Sequence, residues 1–242
     1  MNEFTIEVVA STVRSCINAE KGGAGRIELC SALATAGITP STGLLQAVKK
    51  HVSIPVYVMI RPREGDFCYD KEEIEVFKYE IENLQKAGAD GFVFGVLNQN
   101  ETVNSELLRE LVAFCKPQPV TFHRAIDCTP DMFEAMETII AAGCERILTS
   151  GGKATGPEGI DTIVKLAEAA NGRIQIMPGG GIRPDTFPGM LHSKIKNYHL
   201  SGRIPQTSIA KTTLFDMNWA ETDEASIREV VSRAASFFAT VQ

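Results

Sequence analysis

Eight times along the chain, a short apolar run ending in polar or glycine residues is followed by a longer stretch of helical periodicity. The sharpest case is Val120-Thr-Phe-His-Arg-Ala-Ile-Asp127. It starts as a β run and ends in ionisable groups just before Thr129-Pro130 and a helical segment. Strands are expected at Phe4–Ala10, Arg26–Cys30, Pro55–Arg61, Gly91–Leu97, Val120–Arg124, Glu145–Ser150, Ile174–Met177 and Asn197–Ser201. Helices are expected between them, with the seventh short, at Pro184–Leu191. Residues Gly202–Glu221 lack periodicity and read as a loop. Asp223–Thr240 reads as a closing helix with Ile227, Val230, Val231, Ala234 and Phe237 on its apolar face. Such alternation calls for a parallel sheet with helical crossovers, and eight units favour closure. The expectation is an α/β fold: one (β/α)8 TIM barrel over residues 1–242, a single domain with a C-terminal helix. The length suits one such barrel, and no linker or change of composition divides it.

Alternate residues of a barrel strand face the axis. This parity sends Glu7, Arg26, Glu28, Arg61, His123, Arg146, Gln175 and His199 inward. Charges there must pair with one another to be tolerated.

At the carboxyl ends of the strands, where barrel sites lie, several chemistries are open. Glu28 and His123 are the best acid–base candidates; the alternative for Glu28 is an ion pair within the barrel. Asp127 either joins them, orients Arg124 or caps the next helix. Arg61, Arg63 and Arg124 suit a carboxylate or phosphate, or else neutralise Glu28, Asp66 or Asp127. Ser150-Gly151-Gly152 and Gly179-Gly180-Gly181 end neighbouring strands. Their backbone N–H groups can converge on an anion, or the glycines can simply permit tight turns. Cys30 faces inward at the same level and could bind a soft metal such as Cu(I) if a second soft ligand converges on it.

Other chemistries lack their residues. No lysine ends a strand, which disfavours Schiff-base catalysis. The zinc-protease, serine-hydrolase and nucleotide-loop motifs are missing. The six cysteines form no C-x-x-C pair, so neither a structural zinc site nor a disulfide framework is expected. A net charge of −6 argues against nucleic acid as a partner. No run of about 18 apolar residues predicts a membrane span, and the N-terminus lacks the features of a secretory leader. A cytoplasmic protein is expected.

Six segments together resemble the CutC family, the copper homeostasis proteins. They are Asn18–Cys30, Val58–Arg63 with Gly65-Asp-Phe67, Ala89–Gly95, Val120–Ala125 with Asp127, Glu145–Gly151 and Met177–Ile182. The resemblance implies a (β/α)8 barrel, a cytoplasmic homodimer or larger homo-oligomer, and a role in copper handling with Cu(I) held through cysteine. Cys30 lies in the shared Glu-Leu-Cys motif. Leu200 stands where some members carry a cysteine, which removes one thiol. Beside Cu(I) binding stands a second expectation: an enzyme acting on a small phosphorylated or carboxylated metabolite.

Overall fold

In the computed structural model, which describes residues 4–206 and 219–240, the apolar runs become eight parallel strands. They are β1 (Thr5–Ala10), β2 (Arg26–Leu29), β3 (Val56–Met59), β4 (Gly91–Phe94), β5 (Val120–Phe122), β6 (Arg146–Thr149), β7 (Gln175–Pro178) and β8 (Asn197–Leu200). The sheet order β7-β6-β5-β4-β3-β2-β1-β8 is that of a barrel. Seven junctions are parallel ladders. The eighth, between β7 and β8, is spanned by a side chain, with Asn197 Nδ2 donating to Gln175 Oε1 at 2.8 Å.

Six helices cover the outside: α1 (Val13–Lys21), α2 (Thr42–Lys49), α3 (Lys71–Lys86), α4 (Ser105–Cys115), α5 (Met132–Ala142) and α6 (Ile160–Ala170). Their starts are written in the sequence. The Thr12 hydroxyl accepts the Ser15 N–H at 3.0 Å. Asp70 and Glu73 form a reciprocal capping box that satisfies two of the N–H groups left free at a helix start. Outward strand residues such as Ile27, Leu29, Val58, Phe92, Phe94, Phe122 and Ile147 are fully buried under these helices. Inward residues form a smaller apolar cluster, Cys30, Tyr57, Met59 and Val93, amid the polar side chains that parity predicts.

Three local expectations give way. After β5 the chain turns at once into a 3₁₀ segment, Arg124–Cys128, so Phe122 ends the strand, His123 caps the turn and Arg124 does not continue the strand. The seventh crossover has only a 3₁₀ turn, Phe187–Met190, because Pro188 and Gly189 disfavour a longer helix. The expected loop after β8 carries an antiparallel hairpin, β9 (Arg203–Gln206) with β10 (Trp219–Thr222); its residues 207–218 lie outside the described residues. Local sequence hid these strands, because Pro205 and exposed positions break any alternation. The Thr222 N–H donates to Ser15 Oγ at 3.1 Å, which ties the hairpin to α1.

The closing helix α7 (Glu224–Thr240) buries Ile227, Val230, Ala234 and Phe238. Phe238 replaces the expected Phe237 because it stacks on Phe4, with ring centroids 5.4 Å apart; Phe237 and Val231 are only partly buried. No described helix is long and apolar enough to cross a membrane.

Candidate functional site

The carboxyl ends of the strands surround a cavity of about 510 Å³. Glu28, Cys30, Arg61, His123, Arg124 and Asp127 all line it, as do Gly180 and His199. Its centre is a buried group from three adjacent strands. His199 on β8 places Nδ1 2.8 Å from Glu7 Oε1 and 3.2 Å from Glu28 Oε2. Contact with two carboxylate oxygens assigns a proton to that nitrogen. The shorter contact to Glu7 takes it, and Glu28 Oε2 is left buried without a hydrogen bond.

Charge settles the roles of the two carboxylates. Burial raises the affinity of both for a proton. For Glu7, Arg26 Nε and His199 outweigh burial and hold the carboxyl far below the usual range. Glu28 faces the same burial, which His199 offsets only in part and the nearby Glu7 charge reinforces, so its pKa rises to about 7. His199 moves upward as well: burial opposes its charge, but Glu28 and Glu7 more than compensate. Ion pairing holds Glu7 charged, while Glu28 can exchange a proton near neutrality.

His123 is different. Burial, reinforced by Arg61, lowers its pKa to about 3, so the ring is neutral. Its Nδ1 accepts the Ala125 N–H at 3.2 Å, which assigns the ring proton to Nε2. That Nε2 is buried and has no protein partner. Two residues of the cavity wall thus hold buried polar atoms without a hydrogen bond, His123 at Nε2–H and Glu28 at Oε2. The imidazole within ion-pair distance of Glu28 is His199, however, and parity alone could not choose between the two. The missing signal was closure: once β8 sits against β1, Glu7 and His199 are register partners.

The expected anion groups divide. Arg61 donates to the carbonyls of Thr35 at 2.9 Å, Gly37 at 3.0 Å and Gly65 at 2.8 Å, clamping two loops at the rim. Arg63 lies outside the cavity, held by Glu73, Asp66 and the Cys68 carbonyl. The Ser150-Gly151-Gly152 loop does converge on an anion, and that anion is Asp127. Its carboxylate accepts the N–H groups of Ser150 at 3.0 Å and Gly152 at 3.1 Å, the Thr149 hydroxyl at 2.5 Å and Arg124 Nε at 2.9 Å. Gly179 and Gly181 serve packing, since a Cβ there would fall 2.5 Å from Leu148 Cδ1 and 2.8 Å from Thr155 Cγ2. Gly180 does border the cavity, beside Arg124 Nη1. Arg203 of the hairpin adds a cation at the rim that sequence reading missed.

Cys30 is fully buried, with Sγ 3.6 Å from Glu28 Oε1. Burial and the Glu28 charge push its pKa well above that of a free thiol. It packs with Met59, so one thiol and one thioether stand together. The other donor group, Glu7, Glu28 and His199, is oxygen-rich and suits a harder ion than Cu(I). Glu7 in that group is already neutralised by Arg26.

The CutC family model matches residues 4–204, most of the chain. The chain belongs to the CutC family. The copper homeostasis protein cutC homolog of Mus musculus is 49% identical over 208 residues, 86% of this chain and 76% of that protein. The CutC family protein of Vibrio campbellii is 43% identical and covers 92% of both chains. The crystal structure of the copper homeostasis protein CutC from Streptococcus agalactiae superposes with a TM-score of 0.77 at 31% identity, over 81% of this chain and 97% of that one. These relatives place the barrel within the copper homeostasis family. Several barrels of other names, among them an aldolase with a TM-score of 0.60 at 17% identity, share the fold alone.

Proposed function

We propose that this CutC-family barrel is an enzyme-like site that moves protons on a small phosphorylated or carboxylated metabolite. One observation carries the reading: Glu28 and His123 line the same cavity, and each holds a buried atom without a hydrogen bond, Oε2 and Nε2. Leaving such atoms unsatisfied costs a native fold stability, and a ligand that meets both offsets the cost. A carbonyl or carboxylate oxygen would take the His123 N–H, which can polarise it without carrying charge. Glu28 would accept or return a proton at the adjacent carbon, with His199 beside it held in one tautomer by Glu7. Arg124, whose Nε is fixed by Asp127, would face the ligand's anionic end. The expected place of work is the cytoplasm, whose reducing conditions suit six free cysteines. Assembly into a homo-oligomer is supported by exposed Tyr79 and Val76 on α3 and Phe114 on the neighbouring α4.

The experiment is proton exchange. Incubated in deuterated water with a panel of sugar phosphates and small keto and hydroxy acids, the protein should wash deuterium into one member, seen by proton NMR. Glu28→Gln should slow this by about 10²-fold or more. A panel that stays fully protonated, or equal rates in the variant, would reject the reading.

The paired Cys30 and Met59, together with the family's name, favour a second reading in which Cu(I) is cargo. Cu(I) titrated into the reduced protein should then bind more weakly to Cys30→Ser. Equal stoichiometry and affinity would remove Cys30 as a ligand.

A further inference from the structure

We infer that the opposite, N-terminal end of the barrel holds a separate site for a small oxyanion of phosphate size. A hollow of about 280 Å³ opens there among the first residues of β1, β2, β6, β7 and β8. Three cations face it, Arg26, Arg146 and Lys196, against one carboxylate, Glu145. Arg26 and Arg146 are only 6% and 2% exposed. Their guanidinium carbons stand 5.0 and 5.6 Å from the centre of the Tyr57 ring, and Gly91 leaves room for that ring.

The hydrogen bonds show what is satisfied. Arg146 uses all three nitrogens, on Gln175, Thr121 and Glu145. Arg26 gives Nε to Glu7, but Nη2 has only long contacts, 3.3 Å to Asn197 Oδ1 and 3.6 Å to Met177 Sδ. Among the described residues, Arg26 Nη1 and Lys196 Nζ have no hydrogen-bond acceptor; Lys196 lies over the Phe238 ring at 4.3 Å. Glu7 and Glu145 balance two of the three cations, and one positive charge remains. A nearly buried guanidinium with unused N–H groups, next to a free ammonium, is an incomplete donor set. A compact anion with several oxygens completes it. The hollow is smaller than the pockets that take drug-sized ligands, so a phosphate or a terminal phosphate group fits better than a nucleotide.

The test uses the full-length protein, with inorganic phosphate replacing chloride at constant ionic strength. Calorimetry should show saturable binding, and the unfolding temperature should rise with phosphate. Lys196→Ala should weaken binding about tenfold and Lys196→Arg should restore it, while Arg124→Ala, at the other end, should leave it within about twofold. Loss in Arg124→Ala with retention in Lys196→Ala would place the phosphate at the mouth and overturn the inference. Absence of saturable binding to the unaltered protein would also overturn it, leaving the hollow to water. Glu28→Gln separates the two ends, because it should slow deuterium exchange about 10²-fold or more and leave phosphate affinity unchanged.

Discussion

His123 and Glu28 make opposite contributions to the pH dependence of stability. The folded-state pKa of His123 lies near 3, below its ordinary 6.5. Its contribution is therefore present above pH 6.5 and is lost as pH falls toward 3. Glu28 is raised from 4.5 to about 7, so its contribution is full below pH 4.5 and is lost as pH rises through 7. Between pH 4.5 and 6.5 the two slopes oppose each other. Urea unfolding across this range should show a steeper loss on acidification in Glu28→Gln and a shallower one in His123→Gln. The differences should be on the order of a few kcal/mol. A second prediction concerns Arg26→Met, which strands the Glu7 carboxylate inside the barrel. Breaking a buried pair from one side should cost about 3–5 kcal/mol in chemical denaturation. That these groups face the axis was legible from parity. Which imidazole meets Glu28 was not, because it depends on the register of β8 against β1, strands 192 residues apart at Glu7 and His199.

At the level of elements, the helices were readable where they carried caps and an apolar stripe. Asp70 and Glu73 are the clearest instance. Strand ends were overextended: the strand pattern runs through His123 to Arg124, yet the chain turns because Asp127 must reach back to the β6 loop. That loop depends on close backbone approach. A Cβ on Gly159 would fall 1.9 Å from the Ser150 carbonyl oxygen. Gly159→Ala should displace the loop and cost about 1–3 kcal/mol or more, seen as a lower unfolding temperature. The hairpin was missed because its partners are set by tertiary contact: Ser15 and Asn18 of α1 bind Thr222. Ile227 of α7 fills the space over Gly22 and Gly202, so Ile227→Ala should cost about 2–5 kcal/mol in denaturant unfolding. A much smaller loss would mean that hairpin and helix do not help close the barrel.

Across the whole molecule, the eightfold alternation was enough to specify the barrel, since that pattern has few other ways to bury both faces of a parallel sheet. It could not say how the ends of the sheet would meet. Seven joins are ladders of backbone bonds; the last is a clasp of side chains, Asn197 on Gln175. A cylinder sewn along seven lines and buttoned along one has a preferred place to breathe. Backbone amides of β7 and β8 that face each other should take up deuterium sooner than those of β3 or β4, and cutting the button with Asn197→Ala should widen the gap. Because the β8–β1 ladder keeps His199 with Glu7 and Glu28, each such opening would part that group from Leu148 and Gly180 on the far wall of the cavity. The looseness of one strand junction would then set how often the cavity is closed on both sides.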